Sequence, residues 1–164
     1  MNLYIYENQQ ARDLEPVSLT RPAFDLRPGI LSFLDRILEQ IPVEKISLFV
    51  RPELEEICRK LRPEAEINPA VVEKGLWLLG NVFWSREDLE LMQKGSLSQY
   101  YFKETMIGAN LSKDQGQAWL KAGGPVKVNP ELEKTETKLT SPYCRYLWNI
   151  LDLIPAALEQ DRPK

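Results

Sequence analysis

The order of apolar segments is the feature that most constrains the fold of this chain. Three short apolar runs, at residues 3–6, 45–50 and 76–80, have the length and composition of buried strands. Between them, apolar residues recur at helical spacing over residues 30–41 and 53–61. Strands that alternate with helices favour a mostly parallel sheet that is covered on both faces. The chain is therefore predicted to be an α/β protein.

Beyond the third apolar run the patterns weaken, although short elements can still be predicted. Ser85 and Asp88, three residues later, form a capping pattern typical of a helix, here one that runs to Gln93. The further predictions are strands at 98–102 and 105–111, a short helix at 112–122 and a weak strand at 125–129.

The C-terminal part combines a polar segment with an apolar one. Residues 130–142 are polar and predict an exposed connection. Residues 143–161 are rich in large apolar side chains and predict a helix. Pro155 should end or kink this helix, because proline lacks a backbone donor.

Length and composition limit the class of protein. The 164 residues suit one domain with a hydrophobic core and are too few for two ordinary domains. A net charge of -3 argues against a dedicated nucleic-acid-binding protein, which needs a basic surface. The apolar runs are shorter than the ~20 residues of a membrane-spanning helix. The N-terminus lacks the features of a secretory signal. We therefore expect a cytoplasmic protein that binds neither nucleic acid nor membrane.

The reactive residue types restrict the chemistry. The sequence contains no histidine, which excludes Ser-His-Asp triads, histidine-ligated zinc and histidine general bases. Cys58 and Cys144 lie far apart and match no CxxC metal or redox pattern. Cys58 falls on a helical pattern, where a buried thiol is expected.

The loop between the first predicted strand and the first predicted helix carries the clearest candidate site. In open α/β sheets, ligands bind at the carboxyl ends of strands. Arg21 and Arg27 lie six residues apart on this loop, which three prolines stiffen. Guanidinium groups bind phosphate in bidentate fashion, and the helix start near Gly29 adds N–H donors. The candidate phosphate-binding residues are Arg12, Thr20, Arg21, Asp25 and Arg27.

Each candidate also has an alternative structural role. Arg21 and Arg27 would only brace the loop if they paired with Asp25 or Glu15. Aromatic faces suit hexose rings, and Trp84, at the exit of a predicted strand, is the candidate for stacking on a sugar. Most buried aromatic residues instead fill cores, so both roles stay open at this point.

Two sequence motifs carry a family resemblance: LTRPAFDLRPGILSFLDRI at residues 19–37 and GLWLLGNVFW at residues 75–84. They resemble the N-terminal half of the sugar nucleotidyltransferases, in a divergent branch where a TRPAFDLRPGI-like signature replaces the glycine-rich loop. Many members of that branch also carry a left-handed β-helix that resembles an acyltransferase domain. The resemblance implies a Rossmann-like three-layer fold in a single domain. A nucleotide lobe is expected at about residues 1–95, and a reduced sugar lobe with a C-terminal helix at about 96–164.

The resemblance also implies roles for individual residues. Ordinary members hold the nucleotide phosphates with a glycine-rich loop and an arginine, which Arg12 matches, but residues 7–11 read ENQQA. The family's lysine position falls on Ala23, and the position of its magnesium-binding aspartate falls on Asn81, next to Gly80. Gly80 and Asn81 are therefore expected near the nucleotide. Mg2+ is the implied cofactor, with Asn81 as a weaker ligand than a carboxylate.

Three functional hypotheses follow. The first is a sugar-1-phosphate nucleotidyltransferase that moves a nucleotidyl group from a nucleoside triphosphate to a sugar phosphate, with Arg21 and Arg27 as catalytic cations. The second is a weakly active or inactive relative that binds a nucleotide sugar or serves as an interaction or scaffold domain. The third is a structural domain whose arginines only brace the loop. No local motif specifies the base or the sugar.

Overall fold

Six strands form one sheet in the computed structural model, which describes residues 1–95, 99–128, 130 and 139–162. The strands are β1 (Asn2–Tyr6), β2 (Lys45–Phe49), β3 (Glu66–Ile67), β4 (Gly75–Leu79), β5 (Gln99–Phe102) and β6 (Thr105–Leu111). Their order across the sheet is β3-β2-β1-β4-β6-β5. The first four run parallel, and β6 and β5 pair in antiparallel fashion. The predicted α/β class with a mostly parallel sheet is confirmed.

The helices lie between and after the strands. They are α1 (Phe33–Gln40), α2 (Glu55–Leu61), α3 (Arg86–Lys94), α4 (Lys113–Lys121) and α5 (Leu147–Gln160). The side chain of Ser85 accepts the N–H of Asp88, which confirms the predicted cap of α3. No helix in the described part of the chain is long and apolar enough to cross a membrane.

One sheet contains strands from both of the lobes predicted from the sequence. β6 pairs with β4 over the register from Gly75↔Leu111 to Leu78↔Gly108. The two parts of the chain therefore share backbone hydrogen bonds. The division into lobes near residue 95 stays a prediction.

One local prediction was wrong, and of the two outcomes expected at Pro155, an end or a kink, the first does not occur. Residues 125–128 do not form a strand, because the N–H groups of Lys127 and Val128 bond back to the carbonyl of Gly124 in a turn. Helix α5 does not end at Pro155 but continues to Gln160. Pro155 is exposed, so the missing backbone hydrogen bond lies at the solvent side of the helix. Residues 98, 129 and 131–138 of the predicted elements lie outside the described residues.

Aromatic side chains cover one face of the sheet. Tyr4 stacks on Trp77 with ring centroids 4.4 Å apart, and Phe49 lies 5.2 Å from the same ring. Trp119 of α4 lies 5.1 Å from Trp77 and 5.3 Å from Tyr6. Because such rings bury large apolar areas, this layer fixes α4 against the centre of the sheet.

A second apolar cluster joins the loop after β1 to α5. Its buried members are Ala11, Leu14, Ala23, Leu26, Phe33, Phe83, Cys144, Ile150 and Ala157. Beside it, the carboxylate of Asp161 accepts the N–H groups of Ile30 at 2.8 Å and Leu31 at 3.2 Å. The same carboxylate pairs with the buried Arg36 at 2.7 Å. The end of α5 is thereby fastened to the start of α1.

A buried ion pair holds the carboxyl ends of β1 and β2 together. The Nε of Arg51 lies 3.1 Å from Oε2 of Glu7, and the two side chains are 4% and 0% exposed. Glu7 also accepts the N–H of Ala23 at 2.8 Å, and Arg51 donates to the carbonyl of Ser18 at 2.6 Å. The pair therefore fixes the loop after β1 to the sheet at two points.

Arg51→Met should destabilise the protein strongly, because it leaves the Glu7 carboxylate buried without its cation. Loss of one partner of a buried pair typically costs about 3–5 kcal/mol. Urea unfolding monitored by circular dichroism measures the free energy of unfolding. Lys45→Met is the matched control, since Lys45 and Glu66 form an exposed pair that contributes little. Equal destabilisation by the two variants would contradict the prediction.

Candidate functional site

The strand order defines a switch point between β1 and β4. The chain continues from β1 to β2 on one side of β1 and later places β4 on its other side. Ligands of open α/β sheets bind outside the carboxyl ends of the strands at such a point. Residues 7–10 and 80–82 follow these two strands and lie at the position where such sheets bind ligands.

The segment after β1 fills this switch point. Residues Gln9–Leu14 form a 3₁₀-helix, where the resemblance implied a phosphate-binding loop. The side chain of Gln9 donates to the carbonyl of Lys127, and that of Gln10 accepts the hydroxyl of Tyr143. The cavity that remains has a volume of about 80 Å³. A nucleotide-sized ligand needs roughly 300 Å³ or more, so this cavity, as the described residues line it, is too small for a nucleotide.

Gly80 and Asn81, directly after β4, make structural contacts. A Cβ atom on Gly80 would lie 2.7 Å from the Cβ of Phe24, so glycine lets the loop after β1 lie against the end of β4. Asn81 is fully buried and donates from Nδ2 to the carbonyl of Cys144 at 2.8 Å. The N–H of Cys144 donates back to the carbonyl of Asn81 at 2.9 Å. Asn81 thus joins β4 to the segment that precedes α5.

The surroundings of Asn81 do not fit a Mg2+ ion. Mg2+ takes near-octahedral oxygen ligands at about 2.0–2.1 Å, normally including one or two carboxylates. The Oδ1 of Asn81 is buried and has no hydrogen-bond partner, but the acid at the end of β1, Glu7, is committed to Arg51 and Ala23. Over residues 1–95, 99–128, 130 and 139–162, no group of three acidic, cysteine or histidine side chains could hold a metal.

Trp84 and Arg12 are engaged in other contacts. Trp84 is 2% exposed, and its indole N–H donates to the carbonyl of Leu79 at 3.2 Å. Its ring therefore has no open face on which a sugar could stack. Arg12 is exposed and pairs with Glu15 at 3.5 Å and with Glu53. Neither residue lines the cavity that the other candidates share.

The remaining four candidates line one groove, which we call the arginine groove. Its lining consists of Thr20, Arg21, Asp25, Arg27, Asp35, Ile57, Leu61 and Arg62, contributed by the loop after β1, by α1, by α2 and by the residue that follows α2. The groove encloses about 500 Å³, within the range of small-molecule sites. Three guanidinium groups face two carboxylates, so the groove is net positive on an acidic protein.

Arg62, which the sequence did not single out, pairs with both acids of the groove. Its guanidinium lies 2.6 Å from Oδ1 of Asp25 and 2.8 Å from Oδ1 of Asp35. Burial alone would raise the pKa of Asp35, but hydrogen bonds from Arg62 and Ser32 lower it overall. Arg62 is therefore an internal partner for both carboxylates. Arg62 stands at the end of a helix with no local motif, so no sequence signal identified it.

Arg21 and Arg27 are the uncommitted cations of the groove. Both are exposed, and neither has an ion-pair partner within the part of the chain that the structure describes. The alternative pairing with Asp25 is not observed, because Asp25 is bound by Arg62. An anionic ligand can therefore reach both guanidinium groups without first breaking an internal contact.

The backbone donors expected near Gly29 are already used. The N–H groups of Ile30 and Leu31 donate to Asp161, as described above. A Cβ on Gly29 would lie 2.5 Å from Oδ2 of Asp161, so glycine is needed for the carboxylate to approach. The carboxylate of Asp161 occupies the anion position that the sequence assigned to a phosphate.

Comparisons with known proteins identify the fold and the family of this chain. A solved structure of a candidate glucose-1-phosphate thymidylyltransferase from Bacillus anthracis, in complex with sucrose, matches with a TM-score of 0.56 and 9% sequence identity. The match covers 100% of this chain and 98% of that chain, and it shows a nucleotidyltransferase-like fold. The chain belongs to the sugar nucleotidyl transferase family, whose profile matches residues 3–164. The resemblance seen in the sequence is thereby confirmed. No curated protein matches the sequence significantly.

Asn81→Asp introduces the aspartate that the family resemblance implies as a magnesium ligand, and it tests whether this position can hold Mg2+. At pH 7 we expect the variant to be less stable than the wild type by about 2–4 kcal/mol, because a carboxylate would be buried without a cation. Burial raises the folded-state pKa of such a carboxylate above its unfolded value. The loss of stability relative to the wild type should therefore be smallest below about pH 4 and grow as the pH rises towards 7. Urea unfolding at several pH values measures it.

Mg2+ should not restore the stability of Asn81→Asp. The wild type, unfolded with and without millimolar Mg2+, is the control for general salt effects. Recovery of stability by Mg2+ in the variant alone would show that a metal site can form there.

Proposed function

We propose that the arginine groove binds the phosphate of a substrate of sugar nucleotidyl transfer: a nucleoside triphosphate, a sugar phosphate or a nucleotide sugar. The observation that supports this most directly is the pair of exposed, uncommitted guanidinium groups of Arg21 and Arg27 beside the hydroxyl of Thr20. Charged hydrogen bonds from guanidinium to phosphate are strong and directional. Ile57 and Leu61 supply apolar surface in the same groove for a sugar or a base.

The reaction in this proposal is the transfer of a nucleotidyl group from a nucleoside triphosphate to a sugar 1-phosphate, which family membership supports. A phosphate oxygen of the sugar phosphate forms a bond to the α-phosphorus. The bond from that phosphorus to the bridging oxygen breaks, and pyrophosphate leaves. Arg21 and Arg27 neutralise the negative charge on the phosphates as these bonds change.

A second candidate function is binding of a nucleotide sugar without turnover, in a domain that serves interaction or as a scaffold. It is favoured by the small cavity beside Gln9 and Gln10, which encloses about 80 Å³ between the described residues. Transfer must hold two phosphorylated ligands at once, whereas a groove of about 500 Å³ suits one ligand of this size. Binding and turnover must therefore be measured separately.

Arg21→Ala and Arg27→Ala test the binding site. We expect at least one ligand among UTP, dTTP, glucose 1-phosphate and UDP-glucose to raise the melting temperature of the wild type. Each substitution should raise the dissociation constant of that ligand about 10-fold or more, because a charged hydrogen bond contributes about 1.5–3 kcal/mol. Isothermal titration calorimetry measures the constants. Arg86→Ala is the matched control, since Arg86 is an exposed arginine on α3 outside the groove.

Pyrophosphate release distinguishes the two candidate functions. The assay combines a nucleoside triphosphate, a sugar 1-phosphate and Mg2+ with the wild type and the three variants. Release by the wild type and by Arg86→Ala, but not by the groove variants, supports transfer. Ligand binding without release supports the second function. If no ligand binds, or if both groove variants bind as tightly as the wild type, the assignment of the arginine groove is wrong.

A further inference from the structure

One side of α5 presents an exposed apolar stripe. Its members are Trp148, Leu151, Pro155 and Leu158. Trp148, Leu151 and Leu158 are 59%, 55% and 44% exposed. Their spacing places the four residues on one side of the helix, whereas Ile150 and Ala157 on another side pack into the second apolar cluster. Helix α5 is therefore apolar on two sides, and the described domain covers one of them.

The stripe is complementary to itself under a twofold rotation. Its spacing of three, four and three residues is that of a seam between two helices. If two α5 helices cross antiparallel at the level of residue 153, Trp148 of one copy faces Leu158 of the other, and Leu151 faces Pro155. A twofold axis uses the same patch on both partners. We propose that this face joins two copies of the chain in an antiparallel dimer.

Charges at the ends of the stripe favour the antiparallel direction. Arg145, just before the helix, is 44% exposed and keeps Asp13 as its partner within the chain. Glu159 is exposed near the other end of the helix. An antiparallel pair brings Arg145 of one copy towards Glu159 of the other, and these two contacts offset the approach of the exposed Asp152 side chains of the two copies near the crossing point. The two helix dipoles also oppose each other in the antiparallel pair.

Trp148 is held in position to act as the anchor of the interface. Its ring stacks on Tyr146 with centroids 4.5 Å apart and planes inclined by 17°. The guanidinium of Arg145 in turn lies over the ring of Tyr146, 5.1 Å from its centroid. A side chain held by its neighbours loses little conformational freedom on binding. Tryptophan is also among the residues that most often dominate interface energies.

The exposed area is sufficient for a weak dimer. The four apolar side chains expose roughly 400 Å² per copy, and polar residues at their edges bring the total for two copies to roughly 1,000 Å². That total is at the lower limit for a specific interface, so a dissociation constant in the micromolar range or above is expected. This inference does not rest on the proposed function, since α5 contributes no residue to the arginine groove.

Sedimentation equilibrium between roughly 10 µM and 1 mM protein tests the dimer. The wild type should be mainly dimeric at the highest concentration. Leu151→Glu should raise the dissociation constant at least about tenfold, because a carboxylate would face Pro155 at the centre of the interface. Leu91→Glu is the matched control, since Leu91 is a 45% exposed leucine on α3. This control should associate like the wild type.

Cysteine cross-linking tests the direction of the helices independently. A mixture of Trp148→Cys and Leu158→Cys chains should form a mixed disulfide under mild oxidation, whereas parallel helices would link each variant to itself. The native thiols do not compete, because burial raises the pKa of Cys58 and of Cys144 to about 12. Three results would overturn the dimer: a monomeric wild type over the whole range, normal association of a folded Leu151→Glu, or disulfides without the mixed product.

Discussion

The buried ion pair between Glu7 and Arg51 decides where the loop after β1 lies. Each charge also holds a backbone group of that loop, the N–H of Ala23 and the carbonyl of Ser18. Because an unpaired charge is costly in the interior, the loop cannot leave the sheet without breaking this set of contacts. Residues 20–27 are therefore presented at a fixed position beside α2, and the arginine groove depends on the pair although neither partner lines it.

The same constraint separates the candidate site from the switch point of the sheet. Residues Gln9–Leu14 pack as a 3₁₀-helix at the end of β1, and their side chains fill the space that a glycine-rich loop would leave for phosphates. In the proposed function, phosphate contacts come instead from the guanidinium groups of Arg21 and Arg27. A member of the sugar nucleotidyl transferase family would thus recognise phosphate with side chains more than with backbone donors.

Predictions from the local sequence pattern were correct for those strands and helices that interactions between chain neighbours form. The apolar runs became β1, β2 and β4, and Ser85 caps α3, because periodicity and capping depend on neighbours in the chain. Helix α1 begins later than its pattern indicates, at Phe33, because the N–H groups of Ile30 and Leu31 bind Asp161. Helix α5 passes through Pro155, because that position is exposed and the surrounding turns are held by packing. The start of α1 is thus set by a tertiary contact that the local pattern does not reveal.

The sequence by itself determined the α/β class, the family and the loop that carries the candidate arginines, because these follow from periodicity and from contiguous motifs. Only the tertiary structure decided that Arg62 pairs with Asp25 and Asp35, and that Asn81 binds the segment before α5. These contacts join residues between 27 and 63 positions apart. Sequence spacing over such lengths carries no information about distance after folding. Which arginines stay available for a ligand was therefore settled by the fold.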